Sequence, residues 1–89
     1  MPNLPEVVLL KIANRLESEL VVTVPVDTGR LRSSLRVTFK GNTIIITMVE
    51  YGRFVEFGTF KQRPNPFIRN AINNKLATII QEEIQRYYS

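Results

Sequence analysis

The residue with the clearest catalytic potential is Asp27, which opens an Asp-Thr-Gly tripeptide. The same tripeptide carries the catalytic carboxylate of aspartic proteases, in which aspartates from two subunits share one proton in a dry site between buried strands. Here the motif is followed by an amphipathic turn and by two cations, Arg30 and Arg32. A neighbouring arginine favours an ionised carboxylate, which opposes a shared proton. We therefore predict that Asp27 caps a short helix rather than catalysing a reaction.

The composition leaves few other chemistries open. The chain has 89 residues with no cysteine and no histidine, which excludes disulfides, zinc-finger spacing and cysteine or histidine nucleophiles. We predict a protein that is not an enzyme and that holds no metal and no cofactor. Residues 1–89 are expected to form a single domain. Because a chain of this size buries only about 60 to 65% of its unfolded surface, subunit association is expected to add stability.

The charge and the hydropathy indicate where the chain works and what it contacts. No apolar run approaches the roughly 20 residues that span a bilayer, and no secretory signal opens the chain, so we expect a soluble protein without membrane contact. The net charge is +4. Its middle is basic and could attract nucleic acid or an acidic protein surface, although a solvated basic face is the simpler interpretation. The cations between residues 30 and 69 are Arg30, Arg32, Arg36, Lys40, Arg53, Lys61, Arg63 and Arg69.

Helical periodicity appears at both ends of the chain. Apolar residues recur every three or four positions from Leu4 to Val22, which predicts an amphipathic helix capped by Asn3 and ended by Pro25. Leu31 and Leu35 predict a short helical turn with one buried edge. A second long helix is predicted from position 66 nearly to the C-terminus, with residue 65 as its cap.

Between these helices the period changes to two. Residues 36–40 and 43–49 flank Gly41 and Asn42 and predict an antiparallel hairpin. Residues 51–57 predict a third strand. The expected fold is α+β: an N-terminal amphipathic helix, a short helical turn, a three-stranded antiparallel meander and a long C-terminal helix packed on the sheet. The aromatic side chains at positions 51, 54, 57 and 67 are expected in the core.

Taken together, these stretches resemble a bacteriophage family of tail-completion and head-to-tail joining proteins. The resemblance lies in Pro-x-Asp-Thr-Gly-x-Leu, a tyrosine before Val-Glu-Phe-Gly-Thr, and a Pro-Phe opening to the last helix, in that order along the chain. The structural motif residues that carry it are Pro25, Asp27, Thr28, Gly29, Leu31, Tyr51, Gly58, Pro66 and Phe67.

The resemblance implies a structural virion protein at the neck or the top of the tail, made in the host bacterial cytoplasm. It also implies a homo-oligomeric ring, often sixfold, between head connector and tail tube, through which DNA passes. We predict one subunit or partner interface in the stretch from Glu56 to Pro66 and a second on the basic hairpin face. The alternative is a small nucleic-acid-binding module in which Tyr51, Phe54 and Phe60 stack on bases. The predicted interface residues are Arg53, Glu56, Thr59, Phe60, Lys61 and Arg63.

Overall fold

A computed structural model describes residues 3–24, 29–58 and 63–89 as an α+β arrangement in which one antiparallel hairpin accompanies the helices. None of the helices in these three ranges is long and apolar enough to cross a membrane. A π-helical turn, Ile72–Leu76, joins the last two helices into one long C-terminal helix. The elements are α1 (Glu6–Thr23), α2 (Gly29–Ser34), β1 (Arg36–Lys40), β2 (Thr43–Thr47), α3 (Gly52–Phe57), α4 (Phe67–Ala71) and α5 (Ala77–Tyr88).

Helix α1 is longer at its C-terminal end and shorter at its N-terminal end than the periodicity predicts. It begins after Pro5, which makes no side-chain cap. The predicted cap by Asn3 is therefore wrong, and the Leu4 N–H instead donates to Asn42 Oδ1 at 2.8 Å. Val24 ends the helix in an extended conformation, with φ −62° and ψ 142°. This is the geometry that a following proline imposes.

The predicted hairpin is confirmed. β1 and β2 pair in a register that places Lys40 opposite Thr43 and leaves Gly41 and Asn42 as the turn. Gly41 has φ +57°, a left-handed conformation that glycine adopts without a steric penalty. The short helix α2 also agrees with prediction, since Leu31 is fully buried on its inner side.

The predicted third strand is wrong, because residues 52–57 form helix α3. The buried positions Gly52, Val55 and Glu56 are three and four apart, which is one face of a helix rather than alternation along a strand. Gly52 lies in tight contact with the core. A Cβ there would stand 2.6 Å from Met48 Sδ and 2.9 Å from Leu31 Cδ1. Tertiary packing therefore overrides the strand preference of the β-branched and aromatic residues in this stretch.

The C-terminal helix packs mainly on α1, not on the sheet as predicted. Its buried side chains are Phe67 and Ala71 in α4, then Ile79 and Glu83 in α5. Ala71 and Ile79 are eight residues apart, so an uninterrupted α-helix would rotate them about 80° out of line. The wider turn at 72–76 takes up the extra residue, and both halves of the helix can face α1.

The core lies where α1 meets the hairpin and the C-terminal helix. A smaller cluster of Val8, Ile12 and Ile79 joins α1 to α5, and Ile44 of the hairpin packs against it. The main cluster joins α1, α2, β1, α3 and α4 around side chains that are almost fully buried. Its members are Ala13, Leu16, Leu20, Val24, Leu31, Leu35, Val37, Val55, Phe67 and Ala71.

Candidate partner-binding surface

Helix α3 presents two phenylalanines to solvent. Phe54 and Phe57 are 42% and 65% exposed, and their spacing of three places them side by side on the helix. The expectation that both lie in the core is wrong, because the inner face of α3 is already occupied by Gly52, Val55 and Glu56. Large aromatic side chains exposed together are unusual unless they meet a partner.

An arginine lies over each of these rings. The Arg53 guanidinium carbon is 5.0 Å from the centroid of Phe54, and that of Arg69 is 5.1 Å from the centroid of Phe57. Both distances fit cation–π contacts. We call Arg53, Phe54, Phe57 and Arg69 the α3 surface. Arginine and aromatic residues are the types enriched at the centres of protein interfaces.

Glu56 holds this surface in place from beneath. Its carboxylate accepts the N–H groups of Ile68, at 2.8 Å, and Arg69, at 3.1 Å, which are unpaired donors in the first turn of α4. The Arg69 side chain donates through Nε to the same carboxylate at 2.9 Å and through Nη2 to the Glu56 carbonyl oxygen at 2.9 Å. Glu56 thus caps α4, fixes it to α3 and keeps Arg69 beside Phe57.

The position of Glu56 changes its predicted role. It is 2% exposed and bonded within the chain, so its charge cannot be reversed without disturbing the fold. The predicted cap of the last helix also differs. Pro66 precedes the helix without a side-chain cap, Asn65 donates its backbone N–H to the Val55 carbonyl at 2.7 Å, and the capping carboxylate comes from α3.

Three other predicted residues differ in their exposure. Phe67 is buried at the start of α4, Tyr51 is half-buried before α3, and Arg63 is exposed. Gly58 follows α3 with φ +75°, a left-handed conformation that favours glycine, and donates its N–H to the Phe54 carbonyl at 2.8 Å. Pro25, Asp27, Thr28, Thr59, Phe60 and Lys61 lie outside the described residues. The cap by Asp27 therefore stays a prediction.

A second charged group, between α1 and α5, is not foreseen from the sequence. Arg15 bonds Glu82 at 2.8 Å and the buried Glu83 at 2.9 Å, and Glu83 also bonds Arg86 at 3.1 Å. We call these four residues the α1–α5 ion cluster. The hydrogen bonds that Arg15 donates to Glu82 and Glu83 raise the pKa of Arg15, and its bond to Glu82 lowers the pKa of Glu82. The spacing of three from Glu83 to Arg86 could have indicated that one pair, but it does not point to Arg15.

Neither group offers the ligand set of a metal site in the described part of the chain. Within the described ranges, no three histidine, cysteine, aspartate or glutamate side chains are grouped so that they could hold a metal ion. The carboxylates of Glu56 and Glu83 are occupied by arginines of the same chain. The arrangement is suited to binding and to holding helices together.

Comparison with known proteins identifies one family. Residues 5–58 match the HK97-gp10-like family model, whose description reads "Bacteriophage HK97-gp10, putative tail-component". The matched segment contains α1, α2, the hairpin and α3. No curated protein and no solved structure matches the chain.

Proposed function

Because the chain belongs to the HK97-gp10-like family, we propose that it is a structural component of the virion of a tailed bacteriophage. Its place is the neck or the top of the tail, where copies of the chain form a ring between head connector and tail tube. The ring surrounds the path of the DNA and is sixfold. The protein acts by binding its neighbours and catalyses no reaction.

The α3 surface is the observation that supports this role. A ring built from one kind of subunit needs two different patches that fit each other, or a patch that fits the adjoining protein. The α3 surface offers exposed aromatic rings under Arg53 and Arg69, and the exposed Arg63 lies between α3 and Arg69 in the chain. Its complement is therefore an acidic and partly apolar patch.

The hairpin face does not supply that complement. Arg36 and Lys40 are exposed on β1, so contact with the α3 surface would bring like charges together. The acidic patch lies either on another side of the neighbouring subunit or on an adjoining virion protein. In both cases the α3 surface is the contact that assembly requires.

Replacement of Phe57 tests this proposal. Phe57→Ser removes an aromatic side chain that is 65% exposed, so the monomer should fold while the interface loses a central residue. We expect at least about a tenfold loss of incorporation into particles, as for a residue contributing about 2 kcal/mol to binding. Incorporation is measured in purified particles assembled with the variant, and folding by circular dichroism.

Tyr88→Ser is the matched control. Tyr88 is an aromatic residue with 68% exposure at the far end of α5, so its loss should leave incorporation unchanged. Equal losses for both variants, or normal incorporation of Phe57→Ser, would contradict the proposed interface. Electron microscopy of the particles tests the location separately, since density for the protein outside the neck and tail would refute the placement.

One observation favours the alternative nucleic-acid-binding function and another opposes it. Exposed Phe54 and Arg53 are suitable groups for base stacking, but the Arg53 guanidinium covers one face of the Phe54 ring. Binding of purified protein to single-stranded DNA at two salt concentrations separates the two functions. Tight binding that weakens steeply with salt would favour the nucleic-acid module over the assembly protein.

A further inference from the structure

The two edges of the hairpin differ in what covers them. On β1, the Val37 N–H points away from β2 and donates to Glu17 Oε1 of α1 at 2.8 Å. Because Val37 stands opposite Ile46, these two residues form one of the non-hydrogen-bonded pairs of an antiparallel ladder, whose N–H and C=O groups point outward on both strands. Helix α1 packs along β1 and its Glu17 occupies that edge.

The outer edge of β2 has no such cover among the described residues. By the same alternation, the N–H and C=O groups of Ile44 and Ile46 point outward from β2. No hydrogen bond within the described ranges uses them. The strand Thr43–Thr47 also contains no charge, proline or glycine, which are the features that prevent edge strands from pairing. This edge is able to accept another strand.

The sequence of β2 indicates which strand fits. Thr-Ile-Ile-Ile-Thr reads the same in both directions about Ile45. If two copies of β2 meet antiparallel with Ile45 opposite Ile45, each Ile44 faces an Ile46 and each Thr43 faces a Thr47. The outward groups of Ile44 and Ile46 then form two hydrogen-bonded pairs, and no charges face each other. A two-fold contact requires this kind of self-complementary patch.

We propose that β2 pairs with β2 of a second copy of this chain, with the two-fold axis at Ile45. The two hairpins then form one continuous four-stranded sheet in the free protein. The inference does not depend on the proposed virion role, because a two-fold contact closes with two copies and does not generate a ring by itself. The residues of the α3 surface take no part in it.

Ile45→Lys tests the dimer. Ile45 is 36% exposed and lies on the outer face of the hairpin, so lysine should be tolerated in the monomer. Across the two-fold axis the two lysines would stand directly opposite each other, with Cβ atoms about 5 Å apart. We expect the wild type to dimerise in a sedimentation series up to about 100 µM, a range in which micromolar association is detected. Ile45→Lys should show no dimer over the same range.

Thr38→Lys is the matched control. Thr38 is exposed and stands opposite Ile45 within the hairpin, so the same charge is added to the same face one strand further from the axis. The two copies of residue 38 would be three strand spacings apart, about 14 Å. This variant should dimerise like the wild type.

A mixture of charges tests the register. Ile45→Lys and Ile45→Glu should each remain monomeric alone and form a mixed dimer together, because unlike charges then face each other. Circular dichroism verifies that each variant is folded. A monomeric wild type, a dimer that survives Ile45→Lys, or a mixture that does not associate would overturn the proposal. A ring that forms equally well in Ile45→Lys, with no dimer in either protein, would also overturn it while leaving the proposed virion role intact.

Discussion

At the scale of single residues, Glu56 connects the fold to the candidate interface. Its carboxylate is buried and receives two backbone N–H groups of α4 and one guanidinium N–H of Arg69. A carboxylate at a helix N-terminus is stabilised by the unpaired donors and by the helix dipole. The exposed side of Arg69 then forms part of the α3 surface. One buried side chain thus orients a residue that a partner could contact.

Glu56→Ala should be more damaging than Arg69→Ala. Loss of the buried carboxylate leaves the N–H groups of Ile68 and Arg69 without their acceptor and removes the ion pair, which should lower the free energy of unfolding by about 2 to 4 kcal/mol. Loss of Arg69, whose side chain is about half exposed, leaves both backbone bonds and should cost about 1 kcal/mol. Urea denaturation of both variants measures the difference. Equal losses would show that capping contributes little.

At the scale of helices and strands, the α1–α5 ion cluster joins residues of two helices that are 67 and 68 positions apart in the chain. Arg15 bonds an exposed carboxylate, Glu82, and a buried one, Glu83. The buried pair is costly to desolvate, and removal of one partner would leave an uncompensated charge. The cluster therefore fixes how α1 and α5 are aligned as well as holding them together.

The lowered pKa of Glu82 makes part of this contact dependent on pH. Its ordinary pKa is 4.5 and Arg15 depresses it in the folded protein. Between pH 4.5 and the folded pKa, the unfolded chain therefore binds more protons than the folded chain. The stabilisation is therefore present above pH 4.5 and is lost on acidification through the folded pKa. Glu82→Gln should destabilise the protein at pH 7 but have a smaller effect at pH 3. Urea midpoints of wild type and variant at both pH values test this.

An equal effect of Glu82→Gln at both pH values would contradict the assignment. Gln81→Glu provides the matched control, because residue 81 is exposed on the same helix and Gln81 makes none of the bonds of the cluster. This control should change stability little at either pH. The comparison therefore separates the Arg15 contact from a general effect of charge on α5.

The elements that sequence predicts best are those fixed by local rules. The hairpin follows from alternation on both sides of Gly41 and Asn42, and α2 from the spacing of Leu31 and Leu35. Helix α3 could not be predicted, because its strand-forming residue types are overruled by contact of Gly52 with Met48 and Leu31. The cap by Glu56 and the pairing of Arg15 with Glu83 are likewise long-range contacts that no local pattern encodes.

The predicted interface stays a prediction, and the sequence indicates its residues to different degrees. Its exposed members Arg53 and Arg63 are basic surface residues, as composition indicated. Phe57 is expected in the core because aromatic residues are usually buried, but α3 turns it outward, which makes it a candidate interface residue. A strand over residues 51–57 would place successive side chains on opposite faces, so Phe54 and Phe57 would not lie side by side.

At the scale of the whole molecule, the chain is elongated, with extents of 48 × 23 × 21 Å. Its radius of gyration of 14.3 Å exceeds the roughly 12 Å of a compact chain of this length. The long C-terminal helix contributes to this shape. Its last segment has 12 residues and ends in the exposed Tyr87 and Tyr88.

The π-helical turn within that long helix means that the chain carries one residue more than the packing needs. Deletion of Asn74, which is exposed, would leave Ala71 and Ile79 seven residues apart, close to two turns of ordinary α-helix. We expect this deletion to change the free energy of unfolding by less than about 1 kcal/mol, since no buried contact is lost. Urea denaturation measures it.

Deletion of Gln81 is the informative counterpart. It would rotate Glu83 by about 100° away from Ile79 and from Arg15, and should cost about 3 kcal/mol or more through the broken buried pair. If both deletions lowered the free energy of unfolding equally, the packing would need every residue of the turn. If the expected difference is found, the helix can lose one residue at the turn without repacking, so length variation among homologous chains is expected to concentrate there.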